Sequence, residues 1–242
     1  MARAPIVVLE EVDSTNAEAK RRAEAGEVGP LWITAGRQSA GRGRRGRAWE
    51  TGSGNLAATY LFTTDLRPAD AAQVSFVAAL AVADLASAYV PASIISLKWP
   101  NDLLLAGRKT AGILVESGTL SGKTLWVAVG IGVNLSTAPT QVDRPATAFA
   151  ANMWTPPPSP LDALDILAGA LARWREIWER TGFALIAEAW TARAHGIGAQ
   201  CAARLQDEIV EGIAEGLDAD GALRIRTAEG EVRRITAGDV FF

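Results

Sequence analysis

The sequence predicts an α+β chain, with one sizeable sheet-and-helix domain over residues 1–195 and a small β-barrel over 196–242. Three observations carry this. Strand-length apolar runs alternate with helical periodicities through most of the chain, and residues 118–122, Gly-Thr-Leu-Ser-Gly, join two of those runs as a hairpin would. Beyond His195-Gly196-Ile197-Gly198 the dipeptides Glu211-Gly212, Asp220-Gly221 and Glu229-Gly230 recur at about ten-residue spacing. Turns between short antiparallel strands recur in that way. A chain of 242 residues also buries enough surface, roughly 70 to 75% of its unfolded total, to need no metal or disulfide for stability.

In chain order, a strand over residues 6–9 runs into Asp13-Ser14-Thr15-Asn16, whose short polar side chains suit a turn and a helix N-cap. The helix that follows reaches about Ala25 and stops at Gly26. A strand over 31–35 leads into a glycine and arginine loop over 41–47, and a further strand covers 55–62. A helix is expected over 69–89, then β-runs over 94–99, 110–116 and 125–129. After a polar loop and the proline-rich residues 153–160, Leu161, Leu164, Leu167, Leu171, Trp174 and Trp178 recur at three- and four-residue spacing, so one face of that helix is expected to be buried.

Composition excludes several classes. A net charge of -3 argues against a general nucleic-acid binder, which usually carries a basic face. One cysteine, Cys201, excludes an internal disulfide framework, and one histidine, His195, excludes a His-rich metal site. The apolar start is too short for a signal peptide, and the apolar residues 74–90 are interrupted by Ser75, Asp84 and Ser87, so neither secretion nor a membrane span is expected. The expectation is a cytoplasmic protein.

The segment Gly41-Arg-Gly-Arg-Arg-Gly-Arg47, followed by Ala48-Trp49, places four arginines on a glycine-rich loop of an acidic chain. Arginine forks match phosphate and carboxylate oxygens, and glycine lets backbone fold closely over a ligand, so the segment fits a polyphosphate clamp. The plainer alternative is a solvated basic loop or a nucleic-acid arm. Lys98-Trp-Pro-Asn-Asp102 turns at Pro100 and projects Asn101 and Asp102, which could serve a magnesium ion. Asn-Asp after a proline is more often only a turn. Lys109, before the apolar run 110–116, is a candidate charge stabiliser or a solvated strand-end lysine, and Gly130-Ile-Gly-Val-Asn134 either admits a nucleotide or makes a tight turn.

Two patterns are discarded. Residues 118–124 have three rather than four residues between their glycines and are followed by strand, so they make no phosphate loop, and 130–134 lacks the third glycine of a dinucleotide fingerprint. No Ser-His-acid triad can be assembled. An enzyme whose substrates supply their own nucleophiles needs charge and positioning instead.

Taken in order, Asp13-Ser-Thr-Asn16, Gln38, the arginine loop with Trp49, Lys98-Trp-Pro-Asn-Asp102, Lys109-Thr-Ala-Gly-Ile-Leu-Val-Glu116 and Gly130 to Asn134 resemble the motif series of the biotin protein ligases. The resemblance implies a mixed-sheet catalytic domain related to class II aminoacyl-tRNA synthetases and lipoyl transferases, followed by an SH3-like domain. It implies biotin and ATP as substrates with Mg2+, biotinyl-5'-AMP as intermediate, and the biotin carboxyl carrier protein of acetyl-CoA carboxylase or a related carboxylase as acceptor. Ser14, Thr15, Asn16 and Gln38 would line the biotin pocket, backed by Gly112 and Leu114. Gly41, Arg42, Gly43, Arg44 and Trp49 would close over biotin and its adenylate. Arg44 and Lys109 would be catalytic, Lys109 touching the biotin carboxylate and the α-phosphate. Arg45, Arg47, Asn101, Asp102, Gly130, Gly132 and Asn134 would serve ATP, with Asp102 on the metal side and Asn134 at the adenine. Residues 135–149 would form the adenylate-binding loop. A ligase strand so near Met1 implies a monofunctional enzyme with no repressor role, no DNA partner and no membrane; a homodimer is compatible with it.

A lipoate ligase or octanoyl transferase of the same fold is the nearest rival. Octanoyl transfer needs a cysteine paired with the lysine, and Cys201 falls in the other domain; the lipoate ligases lack the arginine loop. A nucleic-acid module using that loop is a more distant alternative.

Overall fold

In this computed structural model, residues 3–140 and 145–242 are described. The larger part is a seven-stranded mixed sheet. Its strands are β1 (Ile6–Val12), β2 (Leu31–Gln38), β3 (Leu56–Thr64), β4 (Ile95–Lys98), β5 (Asp102–Leu105), β6 (Arg108–Ser121) and β7 (Thr124–Val133), in the order β1-β2-β3-β7-β6-β5-β4. Only β1 and β2 run parallel.

Strand periodicity sorts the two faces of this sheet. Leu56, Ala58, Tyr60 and Phe62 of β3 and Val127, Val129, Ile131 and Val133 of β7 belong to the main core. That core lies under α3 (Val74–Ser87) and α4 (Pro160–Thr181), the shorter α2 (Pro68–Ala71) leading in and α5 (Ala184–Thr191) completing the layer. Leu61, Trp126 and Ala128 point to the other face and form a separate small core with Ala19 and Ala23 of α1 (Thr15–Glu24). One side-chain step along β3 or β7 therefore exchanges a thick core for a thin one. The thin side leaves room for a site.

The second unit is a five-stranded antiparallel SH3-like sheet: β8 (Gln200–Arg204), β9 (Ile209–Leu217), β10 (Leu223–Arg226), β11 (Val232–Ile235) and β12 (Asp239–Phe241), ordered β11-β10-β9-β8-β12. It is sealed to the first. Trp99 Nε1 donates to the carbonyl of Gly221 at 3.0 Å in a buried contact. Gly221 has φ +92 and no room for a Cβ, which would meet the Phe76 ring at 2.7 Å. Gly196 likewise yields space to Phe242.

The helix expected over 69–89 is two helices, because three-residue hydrogen bonds such as Phe76 N–H to Gln73 C=O replace the α-helical pattern between them. Together Pro68–Ser87 are long and apolar enough to cross a membrane, but 72% of the most apolar window is buried inside the fold. The hairpin turns at Gly122-Lys123 rather than over 118–122, since β6 and β7 stay paired out to Ser121 and Thr124. Strand β5 and helix α5 were not foreseen; three leucines in β5 are too short a run to show a period. Leu161, expected on the buried face of its helix, is 50% exposed in the first turn, before that helix meets the core at Ala163 and Leu164.

Trp99→Phe keeps a ring in place but removes the N–H, leaving the Gly221 carbonyl without its donor. The expected loss of stability is about 1–3 kcal/mol, measured by urea denaturation. A change within about ±0.5 kcal/mol, as at an inconsequential position, would mean that this bond does not hold the two sheets together.

Candidate active site

The site is a hollow in the α1 face of the large sheet. Its floor consists of two rows of residues that face one another across strands. Ala57, Gly132 and Gly112 make the first row, and Thr59, Gly130 and Leu114 the second. Absent side chains in these rows create the space. A Cβ on Gly132 would lie 2.2 Å from the Trp49 indole, and one on Gly112 would lie 3.2 Å from it, so the first row seats that ring. A Cβ on Gly130 would lie 2.3 Å from Asn16 Oδ1, so the second row seats the Asn16 amide.

The surrounding walls enclose a cavity of about 620 Å³, within the size range of small-ligand pockets. Apart from Gly41, every site residue singled out from sequence lines it. Gly41 stands at the neck of the arginine loop, its carbonyl accepting from the Trp49 N–H at 2.9 Å. Ser14 occupies the N-cap of α1 without a side-chain capping bond. Gln38 joins three segments, since its Oε1 accepts from the Thr15 N–H at 2.8 Å while its Nε2 donates to Thr51 Oγ1 at 3.0 Å.

The arginine loop is a tight hairpin over the cavity. Arg42 pairs with Ala48, Gly43 N–H reaches the Arg47 carbonyl at 2.7 Å, and residues 44–46 make a single 3-10 turn. Each cation has a protein partner. Arg42 meets Glu116 at 3.4 Å, Arg44 Nη1 donates to Asn101 Oδ1 at 3.2 Å, and Arg45 and Arg47 both bond Asp239 of β12. Burial, with the neighbouring Arg45 cation second, pushes the Arg44 guanidinium down from its ordinary value, opposed by Asp239 and Asp102. Such a desolvated cation gains when an anion arrives.

Lys109 stands on the opposite wall. Its Nζ lies 2.6 Å from Asp102 Oδ1 and 5.6 Å from the centre of the Trp49 ring. A bulge between β5 and β6 at Leu103/Leu104 sets this register, and the backbone of Lys109 is held by Pro145 and Thr147. Asn101 and Asp102 thus link Arg44 to Lys109 through adjacent side chains. Asn134 lies at the rim of the floor, buried, donating to the Thr147 carbonyl at 3.2 Å. Of the expected adenylate-binding loop over 135–149, residues 141–144 lie outside the described residues. The start of that loop is anchored by Asn55, whose Oδ1 accepts from the N–H groups of Leu135, Ser136 and Thr137.

Sequence reasoning missed Asn55, Thr59, Arg204, Asp239 and Phe241. Thr59 left one trace, a polar residue in the apolar run Leu56–Phe62. Asp239, Arg204 and Phe241 left none, because they reach the cavity only when β8 and β12 fold against the arginine loop. His195 and Cys201 stay off the cavity wall: His195 packs edge-on against Phe242 and Cys201 is buried in β8.

Fixed cations above a small-residue floor, with neither cysteine nor histidine among the described residues that line it, fit an enzyme that joins substrates by charge and positioning. Comparison with known proteins gives the family. Residues 8–134 match the biotin/lipoate A/B protein ligase family, and residues 196–242 match the biotin protein ligase C terminal domain. A biotin–[acetyl-CoA-carboxylase] ligase of Paracoccus denitrificans is 45% identical over 97% of this chain and 99% of its own length. A bifunctional ligase/repressor of Escherichia coli (strain K12) is 30% identical over 97% of this chain and 73% of its own. The biotin protein ligase of Aquifex aeolicus, solved in complex with biotin and ATP, superposes with a TM-score of 0.80 at 26% identity, covering 98% of this chain and 97% of that one. The chain belongs to the biotin/lipoate A/B protein ligase family and, within it, to the biotin protein ligases.

Seating Trp49 on Gly132 gives a direct test. Gly132→Ala overpacks the floor and should cost about 1–3 kcal/mol in urea denaturation, whereas adding Trp49→Ala should recover most of that cost. Additive losses in the double-mutant cycle would show that the indole is not what Gly132 makes room for.

Proposed function

We propose that this chain activates biotin with ATP to biotinyl-5'-AMP and pyrophosphate, then transfers the biotinyl group to a lysine of a carboxylase's biotin carrier domain. The observation that carries the reading is the convergence of Arg44 and Lys109 on opposite sides of a small-residue floor. Biotin and ATP are named with the Aquifex aeolicus structure, and an acetyl-CoA-carboxylase with the Paracoccus denitrificans enzyme.

In the first step a biotin carboxylate oxygen attacks the α-phosphorus, the bond to the bridging oxygen breaks, and pyrophosphate leaves. Two anions must approach, and negative charge grows on the α-phosphoryl oxygens. Lys109 and Arg44, both held in place before the substrates arrive, lower that repulsion without reorganising at the moment of reaction. Arg45 and Arg47, bonded to Asp239, form the next cationic pair along the loop for the leaving phosphates. In the second step the neutral carrier amine attacks the acyl carbon of the mixed anhydride and AMP leaves. The arginine hairpin, lying over the cavity, keeps water from that anhydride in the meantime.

Magnesium prefers one or two carboxylates plus substrate phosphates. Among the described residues no group of three or more metal-ligating side chains gathers. Of the carboxylates that line the cavity, Asp239 is taken up by Arg45 and Arg47 and Glu50 is exposed at its edge, whereas Asp102 is buried and set against Lys109. This donor set fits an ion brought by the nucleotide phosphates, with Asp102 as a single protein ligand, and does not fit a resident metal. Such an ion would screen charge on the phosphates.

Incubation with biotin and radiolabelled ATP should release pyrophosphate and yield an adenylate with no acceptor present; its absence would overturn the proposal. Lys109→Ala should lower the single-turnover rate of adenylate formation by about a hundred- to a thousandfold. Lys109→Arg should rescue poorly, because a guanidinium fork must fit between Asp102 and the Trp49 ring. Lys123→Ala, in the exposed turn between β6 and β7, should match wild type. An unchanged rate in Lys109→Ala would remove this lysine from the chemical step.

A further inference from the structure

Thr59, in the middle of β3, holds a place in the second row of the floor but is fully buried, bonded to Thr15 and Asn16, and does not itself line the cavity. Its hydroxyl lies 2.7 Å from Asn16 Oδ1 and 2.8 Å from Thr15 Oγ1. A hydroxyl has one proton to give, and counting protons outward from Glu116 decides where it goes.

Asn16 Nδ2 lies 2.8 Å from Glu116 Oε2 and 3.2 Å from the Leu114 carbonyl. Both are acceptors only, so the nitrogen of the amide must face them and both of its protons are used. The amide oxygen therefore faces Thr59 and must accept from it. With its proton spent on Asn16, the Thr59 hydroxyl can only accept from Thr15. The other inward neighbour of Thr15 Oγ1, Gln38 Oε1, is also an acceptor, but it lies farther off at 3.1 Å and already receives the Thr15 N–H, so Thr59 at 2.8 Å is the principal holder of the Thr15 proton. Gln38 is itself oriented, because its Oε1 receives the Thr15 N–H and its Nε2 donates to Thr51. The Thr15 proton is thus drawn inward, and Thr15, which lines the cavity, turns only lone pairs to the ligand.

We infer that Thr59 is a positioning residue that, through Asn16 and Glu116, fixes Thr15 as an acceptor and thereby selects an acid whose head group carries an N–H donor. This rests on the biotin reading. Biotin's cyclic urea has such donors, whereas a dithiolane or an alkyl chain has none. Either of those would desolvate the Thr15 lone pairs without pairing them, and a site built to bond a polar hydrogen strongly rejects an analogue lacking it. Gly130 is part of the device, since a side chain there would displace the Asn16 amide.

Thr59→Val removes the hydroxyl at nearly constant volume, and Thr59→Ser keeps it. Calorimetry with biotin, with the two mono-N-methyl biotins and with ATP reads the outcome. Wild type should bind biotin and discriminate against the N-methyl isomer whose methyl replaces the proton facing Thr15. Thr59→Val should weaken biotin about tenfold, the effect of one misdirected hydrogen bond, and should lose most of that discrimination. ATP affinity should stay unchanged, and Thr59→Ser should restore biotin binding. If valine is not accommodated, Thr59→Ala carries the same expectations. Wild-type biotin binding and discrimination in a folded Thr59→Val protein overturn the inference alone, as does parallel loss of biotin and ATP binding. A wild-type protein that binds no biotin overturns the functional reading and this inference with it.

Discussion

Everything at this site depends on missing side chains at Gly112, Gly130 and Gly132, with Ala57 beside them. They fall on the cavity face of β3, β7 and β6 in matched register, so the small residues form a continuous hollow rather than scattered gaps. Native interiors leave few unfilled voids, and this one is occupied in part by Trp49 and the Asn16 amide. The opposite face of the same strands can afford no such gap, because its branched residues bear the main core against α3 and α4. The sheet thus separates stability from function by strand parity.

Electrostatics builds on that hollow. In an acidic chain the cations of the arginine loop and Lys109 are gathered around one opening, and each is matched by a protein oxygen: Glu116, Asn101, Asp239 and Asp102. A low-dielectric wall makes uncompensated charge costly, so these pairings hold the cations in place in the absence of substrate. An arriving phosphate or carboxylate then exchanges partners with an already ordered array.

The five-stranded unit belongs to the site as well as to the fold. Asp239 meets Arg45 and Arg47, and Arg204, Val240 and Phe241 complete the cavity wall. The Trp99 bond to Gly221 and the Phe76 contact beneath it fix where that unit sits. A change in the seal at Trp99 therefore bears on the position of Asp239, and through it on the arginine hairpin.

Periodicity, turn dipeptides and ordered motifs determined the mixed α+β class, the antiparallel end and the cluster of candidate residues, because those signals are local. Leu164, Leu167 and Leu171 announce a buried helical face by spacing alone, and four arginines among glycines stand out in a chain of net charge -3. Strand β5 and helix α5 were not legible, being too short for a period to emerge against their neighbours. Tertiary structure alone decided which motif residues share a row, since the pairing of Gly132 with both Ala57 and Gly112 depends on strand order. It alone brought Asp239 to residues 45 and 47, and Thr59 to Thr15 and Asn16. A single aspartate or threonine has no sequence signature of its own, and its role depends on which atoms folding brings within hydrogen-bond distance.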